Sequence, residues 1–148
     1  MTERTLVTFR VGEQLCGLDA ARVQDVFQPR GIARVPLARA EIAGVMNLRG
    51  RLVTLLCART RLGLPPRTDE QEPIAIGVQL GGDSYGLLVD SVCEVQAVPA
   101  SDFRGPPGAL PPAWAESLDS ICQLEDELLV VLDGERLLSR PVPTGRED

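Results

Sequence analysis

Short runs of alternating apolar and polar residues, each ended by a turn, cover most of the 148-residue chain. In residues 5–18, Val7 and Phe9 share a face and Gly12 begins a turn-like stretch, and residues 74–89 show the same pattern. An alternation of period two predicts β-strands joined as hairpins. The pattern therefore favours a mainly β fold.

The chain contains an internal repeat. Shifted by 69 residues, the first hairpin superposes on the second without a gap, so that Gly17 meets Gly86. Shifted by 76 residues, the stretch 45–62 superposes on 121–138. The two shifts differ by seven residues, and the Pro-rich stretch 105–113 is where a loop would accommodate the insertion.

The repeat divides the chain into two halves. Residues 1–72 are predicted to form one β-barrel subdomain, and residues 73–148 a second one with a short C-terminal helix and tail. The join, residues 64–73, is polar and bounded by proline, as is typical of a linker. Each half has about five short strand patterns, followed by helical turns at 58–62 and 134–139. Because a half of this size is marginally stable alone, we expect the two to pack across an apolar seam.

Composition and charge exclude several classes of function. Aromatic residues make up only 3% of the chain, so the core must consist of aliphatic side chains. The net charge of −6 argues against a nucleic-acid partner, which would need a basic face. No apolar run is long enough to span a membrane, and the first residues lack the features of a signal peptide. The expected compartment is the cytoplasm.

One stretch matches a catalytic pattern. Residues 82–86 spell G-x-S-x-G, in which Ser84 would be a hydrolase nucleophile. That chemistry needs a base, and the chain has neither histidine nor lysine; the motif also joins two predicted strands. A hairpin tip is the favoured interpretation, and we predict no enzymatic activity, cofactor or metal. The four cysteines, which lie far apart in or beside apolar runs, are interpreted as small buried residues: Cys16, Cys57, Cys93 and Cys122.

The stretch GVMNLRGRLVTLL, residues 44–56, places two arginines between apolar strands. Residues 48–51 are predicted to form a hairpin tip, with Gly50 supplying a positive φ. The equivalent tip in the second half carries Glu125-Asp126-Glu127 instead. Surface charges contribute little to stability, so the opposite charges favour a role in orientation and partner choice.

Four segments together resemble the CheW family of chemotaxis adaptor proteins. They are I-A-G-V-M-N-L-R-G-R-L-V-T-L-L (42–56), V-x-D-V (23–26), Y-G-L-L-V-D-S-V-x-E-V (85–95) and L-L-V-V-L-D-G-E-R-L-L (128–138). The resemblance implies two SH3-like five-stranded barrels packed together. It also implies a scaffold that couples methyl-accepting chemoreceptors to a CheA-type histidine kinase through the kinase's regulatory domain, with possible ring assembly.

In the family, the helical hairpin tip of the receptor docks in the groove between the barrels. Carried onto this chain, the resemblance implies the following docking residues: Val23, Asp25, Val26, Asn47, Leu48, Arg49 and Gly50. An exposed Val or Leu there would bury against an amphipathic helix, and Arg49 could bind its carboxylates or carbonyls. Barrel core for the two valines and a solvated hairpin for Arg49 are the alternatives.

The chain departs from the family pattern after the hairpin. The family usually has Asp-Leu-Arg where this chain has Cys57-Ala58-Arg59, although the repeat equivalent, Asp133, is an acid. A paralogue serving another kinase array, such as surface motility, is therefore an alternative to standard chemotaxis. A pair of barrels that binds peptides or a small ligand is a third possibility.

Overall fold

The computed structural model describes residues 2–65, 72–105, 108 and 110–139, and it is mainly β. The elements of the first half are β1 (Glu3–Val11), β2 (Gln14–Asp19), β3 (Val23–Phe27), β4 (Ile42–Leu48), β5 (Arg51–Cys57) and α1 (Ala58–Arg61). Those of the second half are β6 (Ile74–Leu80), β7 (Asp83–Val89), β8 (Ser91–Pro99), β9 (Phe103–Arg104), α2 (Pro112–Ser117), β10 (Leu118–Gln123), β11 (Leu128–Leu132) and α3 (Gly134–Ser139). Single 3-10 turns precede β3 and β9.

The elements follow the internal repeat. The 69-residue shift carries β1, β2 and β3 onto β6, β7 and β8, and the 76-residue shift carries β4, β5 and α1 onto β10, β11 and α3. The extra residues of the second half therefore fall between β8 and β10, in the segment that contains α2. Of the stretch predicted to be a loop, residues 105–113, positions 106, 107 and 109 lie outside the described residues.

The strands form two sheets, and each sheet takes strands from both halves. Sheet A has the order β8-β1-β2-β11-β10-β9, and sheet B has the order β3-β6-β7-β5-β4. The boundary predicted at residue 72 therefore does not separate the two sheets. Residues 66–71 of the predicted linker and the tail beyond residue 139 lie outside the described residues.

The internal repeat makes this exchange of strands possible. Strand β2 pairs in parallel with β11, and β7 pairs in parallel with β5. Because β5 and β11 are equivalent in the repeat, either one offers β2 the same apolar pattern, and the pattern alone does not select the partner. Exchange of identical elements between similar units is the same event that produces swapped dimers.

Each sheet curls so that its outer strands approach each other. In sheet B, Ala33 follows β3 and exchanges two backbone hydrogen bonds of 2.8 Å with Val45 of β4. In sheet A, only three residues separate the end of β8 at one edge from the start of β9 at the other. The predicted mainly β fold of two packed, barrel-like units is confirmed.

Three apolar clusters fill the part of the molecule that the structure describes. The largest joins the two sheets and includes Phe9 and Leu18 from sheet A with Ile76 and Leu87 from sheet B. The other two clusters lie within sheet A, around Leu129, and within sheet B. The expected apolar seam is therefore present. Strands β1 and β7 each contain four consecutive buried residues, so both of their faces are buried there. An alternating pattern predicts burial of one face only and therefore underestimates the buried part of these strands.

The prediction that all four cysteines are buried is wrong. Cys16 and Cys122 are buried, whereas Cys57 is half-buried and Cys93 is exposed. Cys93 belongs to β8, an outer strand whose middle residues face solvent. Burial raises the pKa of the Cys16 thiol to about 12, so this side chain stays protonated and acts as a small apolar residue.

The two equivalent helices differ at their N-termini. Asp133 precedes α3, and its Oδ1 accepts hydrogen bonds from the backbone N–H groups of Glu135 (3.0 Å) and Arg136 (3.2 Å). The equivalent residue before α1, Cys57, makes no side-chain capping bond. The departure from the family pattern noted above therefore removes an N-cap.

We expect Cys57→Asp to stabilise the protein by about 1 kcal/mol, because an aspartate there can accept hydrogen bonds from backbone N–H groups in the first turn of α1. For a chain of this size, thermal unfolding should shift upward by about 2–4 °C. Asp133→Ala is the matched control and should lower the midpoint by a similar amount. If Asp133→Ala lowers the midpoint and Cys57→Asp leaves it unchanged, the missing cap is not what distinguishes the two helices.

Candidate functional site

The predicted hairpin tip is a two-residue turn between β4 and β5. Arg49 and Gly50 both have positive φ values, 53° and 83°, as in a type I′ turn. The side-chain oxygen of Asn47 accepts a hydrogen bond of 2.9 Å from the backbone N–H of Gly50. Gly50 adopts a positive φ at no steric cost, as predicted, whereas an arginine in this conformation costs roughly 1–2 kcal/mol.

Arg49 reaches from this tip to the opposite edge of sheet B. Its Nη1 lies 3.5 Å from Oδ2 of Asp25 on β3, and the Arg49 side chain remains 75% exposed. The curl of the sheet brings these two outer strands together. An ion pair this exposed contributes about 0–1 kcal/mol, which does not offset the strained backbone of Arg49. Strain that stability does not explain is typical of a functional position.

Asp25 itself is held in an unusual way. Its side chain is 26% exposed, and Oδ2 faces Arg49. The other oxygen, Oδ1, is buried and has no hydrogen-bond partner. A buried acceptor without a partner costs about 1–3 kcal/mol, so this carboxylate is also placed at the expense of stability.

The structure separates the other predicted docking residues into exposed and supporting ones. Val26 is 42% exposed, and Asn47 and Gly50 are also exposed. Val23 is half-buried against the cluster that joins the sheets, and Leu48 is half-buried against the cluster within sheet B. The side chains of Val23 and Leu48 therefore support the surface more than they form it.

Sequence patterns missed a further exposed apolar residue, Leu52. It is 65% exposed and pairs in register with Asn47. Its place in an apolar run indicated burial, and only the register of the hairpin shows otherwise. Three more exposed apolar residues lie in the segment between β3 and β4: Ile32, Val35 and Leu37.

The two barrels carry opposite charge at equivalent places. Residues 28–51, from the end of β3 to the start of β5, contain five arginines and one acid, the buried Glu41. The equivalent residues 100–127 contain six acids and one arginine. The charge difference seen at the hairpin tips thus extends over the whole segment.

One of the acidic tip residues has a partner within the chain. Glu127 accepts hydrogen bonds of 2.8 and 2.9 Å from both terminal nitrogens of Arg10. This interaction lowers the pKa of Glu127. Glu125 and Asp126 are exposed beside it, so the acidic tip remains an accessible surface.

Ser84, the residue of the hydrolase-like motif, lies inside β7. It pairs in register with Gln79 of β6 and with Val53 of β5. A nucleophile elbow requires a sharp turn from a strand into a helix, whereas this residue lies in a strand with a neighbour on each side. The geometry of the motif is that of a strand following a hairpin turn.

Comparisons with known proteins agree with this fold. The CheW-like domain family matches residues 5–142. The chain is 28% identical over 138 residues to the chemotaxis protein CheW of Treponema pallidum, covering 90% of this chain and 81% of that protein. It is 25% identical over 139 residues to the chemotaxis protein CheW of Bacillus subtilis, covering 94% and 89%.

A solved structure is similar over nearly the whole length. The crystal structure of the scaffolding protein TtCheW from Thermoanaerobacter tengcongensis superposes with a TM-score of 0.79 at 26% identity, covering 88% of this chain and 89% of that one. The fold is thus that of a two-barrel scaffold protein. The chain belongs to the CheW family, whose members are scaffold and adaptor proteins of chemotaxis. Among the described residues the longest helices have six residues, too few to cross a bilayer.

Proposed function

We propose that this protein couples chemoreceptors to a CheA-type histidine kinase, and that it does so by binding both without a catalytic step of its own. The observation that carries the proposal is the ion pair of Arg49 and Asp25. Both residues are placed at the expense of stability, at what we call the rim of sheet B, where the β4–β5 tip (47–50) meets β3 (23–26). Arg49 is largely exposed there. A cytoplasmic location follows from this function.

The chemistry of the rim suits a helical partner. Val26 on β3 and Leu52 on β5 supply exposed apolar area on the sheet that carries the Arg49–Asp25 pair, and an amphipathic helix would bury such area. Arg49 can donate several hydrogen bonds in a fixed geometry to carboxylates or to the last carbonyls of a helix. A helical hairpin, such as the receptor tip, presents such terminal carbonyls where its first helix ends.

The opposite charges of the two barrels support a defined orientation. We propose that the basic side, residues 28–51, faces the receptor and that the acidic side, residues 100–127, faces a neighbouring protein such as the regulatory domain of the kinase. Charge complementarity sets association rate and partner choice more than affinity. An adaptor with one basic and one acidic end could also join neighbouring copies into rings.

One alternative function is less consistent with the molecule, and a second would use the same site. A ligand-binding barrel needs an open interior, whereas buried aliphatic side chains fill the inside of both sheets, around Leu129 in sheet A and around Leu55 in sheet B. A paralogue for another kinase array would use the same rim, so the two versions differ in the partner and not in the site.

The direct test is binding of the full chain to two purified fragments: a receptor hairpin tip and the regulatory domain of the kinase. We expect each to bind alone and the three to form a ternary complex in gel filtration, with receptor binding weakened by added salt. Receptor and kinase fragments from a motility array, used in parallel, distinguish the paralogue. Failure to bind any helical hairpin tip would contradict the proposal.

A further inference from the structure

A β-bulge occurs at the same place in both sheets. The pairing of β3 with β6 shifts register once, and so does the pairing of β1 with β8. The 69-residue repeat makes Asp25 equivalent to Glu94, and Gly77 equivalent to Thr8. The two bulges can therefore be compared residue by residue.

In sheet A, a side chain on the inner strand fills the bulge. Thr8 is fully buried, and its hydroxyl donates to the backbone carbonyl of Glu94 at 2.6 Å and accepts from the backbone N–H of Glu94 at 3.1 Å. The carboxylate of Glu94 lies on the surface, where it accepts a hydrogen bond of 2.9 Å from the side chain of Gln96.

In sheet B, the equivalent space is occupied by a carboxylate. Gly77 pairs in register with Asp25 and has no side chain. A Cβ added to Gly77 would overlap Oδ1 of Asp25 and would lie 3.4 Å from its Cγ. The absence of a side chain at residue 77 is thus what allows Oδ1 to be buried and Oδ2 to face Arg49.

We infer that Gly77 is a positioning residue for the docking surface. By leaving room for the Asp25 carboxylate, it fixes that group over β6, and the carboxylate in turn orients Arg49 across the rim. This inference rests on the proposed function. It also gives a reason why the two equivalent acids are placed differently: beside Gly77 the Asp25 carboxylate turns inward, and beside Thr8 the Glu94 carboxylate stays on the surface.

Gly77→Ala should weaken binding of the receptor tip without lowering stability. Gly77 does not have a positive φ, so alanine is compatible with its backbone. The overlap falls on the movable end of the Asp25 side chain, which can rotate into solvent and hydrate its unpartnered oxygen. We expect the thermal midpoint to stay the same or rise by up to about 4 °C, because alanine also restricts the unfolded chain.

Binding of the receptor tip should weaken by about 2- to 10-fold, which corresponds to the loss of order in one long side chain. A crystal structure of the Gly77→Ala variant gives a measurement that needs no partner: the Asp25 carboxylate should be rotated away from residue 77, and its contact with Arg49 should be lost.

Gly17→Ala is the matched control, because Gly17 also lies inside a strand and an added Cβ there meets neighbours at ordinary distances of 3.4–3.6 Å. It should leave receptor binding unchanged.

Coupling to Asp25 tests whether Gly77 acts through the carboxylate. The double variant Gly77→Ala/Asp25→Ala should bind the receptor tip as Asp25→Ala does, without a further loss. The inference would be overturned if the Asp25 carboxylate keeps its contact with Arg49 in Gly77→Ala. It would also be overturned if that contact is lost and receptor binding is unchanged, or if the double variant binds the receptor tip more weakly than Asp25→Ala does. If the wild-type chain binds no receptor tip, the proposed function fails, whereas the crystal structure still decides the placement of Asp25.

Discussion

Replacing Arg49 with glutamate is expected to weaken binding of the receptor hairpin tip by at least about 100-fold while leaving the fold intact. The change would replace the positive charge that now faces Asp25 with a negative one. Two acids at the rim would repel each other and the acidic groups of a helical partner, and juxtaposed like charges at an interface cost several kcal/mol. Isothermal titration with the receptor fragment measures this loss.

The fold should tolerate the change because Arg49 is largely exposed and its ion pair contributes little. The thermal midpoint, followed by circular dichroism, should stay within a few degrees of the wild type. Arg51→Glu is the matched control: the same charge reversal, two residues away on the same exposed tip, should weaken binding only a few-fold. Receptor binding that survives Arg49→Glu, or that is lost equally with Arg51→Glu, would contradict a specific role for Arg49.

The largest effect on stability is expected at Arg61, the last residue of α1. Its side chain is 1% exposed, and its Nε donates a hydrogen bond of 3.1 Å to the carbonyl of Leu137 on α3. A second bond, from Nη2 to the carbonyl of Arg136, measures 3.4 Å, and Nη1 lies 4.0 Å from the carboxylate of Glu116 on α2. One buried guanidinium thus connects the three helices across the two halves.

Arg61→Ala should destabilise the protein by about 3–5 kcal/mol, because it removes one partner of a buried charged contact and leaves helix-terminal carbonyls without a donor. For a chain of this length the midpoint should fall by roughly 10 °C or more. Arg136→Ala is a suitable control, since Arg136 is adjacent to the same junction but 58% exposed, and it should change stability by less than about 1 kcal/mol. A melt within 2 °C of the wild type for Arg61→Ala would show that this contact does not hold the halves together.

Local patterns in the sequence were sufficient to predict the strands and the repeat. Alternation and turn residues indicated both hairpins. The alignment of Gly17 with Gly86 gave the 69-residue shift that relates the strands of the two halves. The hairpin tip was predicted because Gly50 is the residue that a positive φ requires. These features depend only on residues close together in the chain.

Features that depend on pairing between distant residues could not be predicted in the same way. The exchange of β5 and β11 between sheets leaves every local pattern unchanged, so the sequence did not reveal it. Arg61 is charged and lies near a predicted helix end, and both features favour an exposed side chain. Its repeat equivalent is the buried apolar residue Leu137, so the repeat gave no indication of a buried charge. The positions of Asp25 and Gly77 become meaningful only when β3 and β6 are side by side.

The rim of sheet B, and not its equivalent on sheet A, is the proposed docking surface. Titrating a receptor hairpin tip into the isotope-labelled chain and following the backbone amide signals by NMR tests this claim directly. We expect perturbations at residues 23–26 and 47–50, with the equivalent residues 92–95 and 123–126 unchanged. Perturbations centred on residues 92–95 and 123–126, or distributed equally over both sets, would contradict the account.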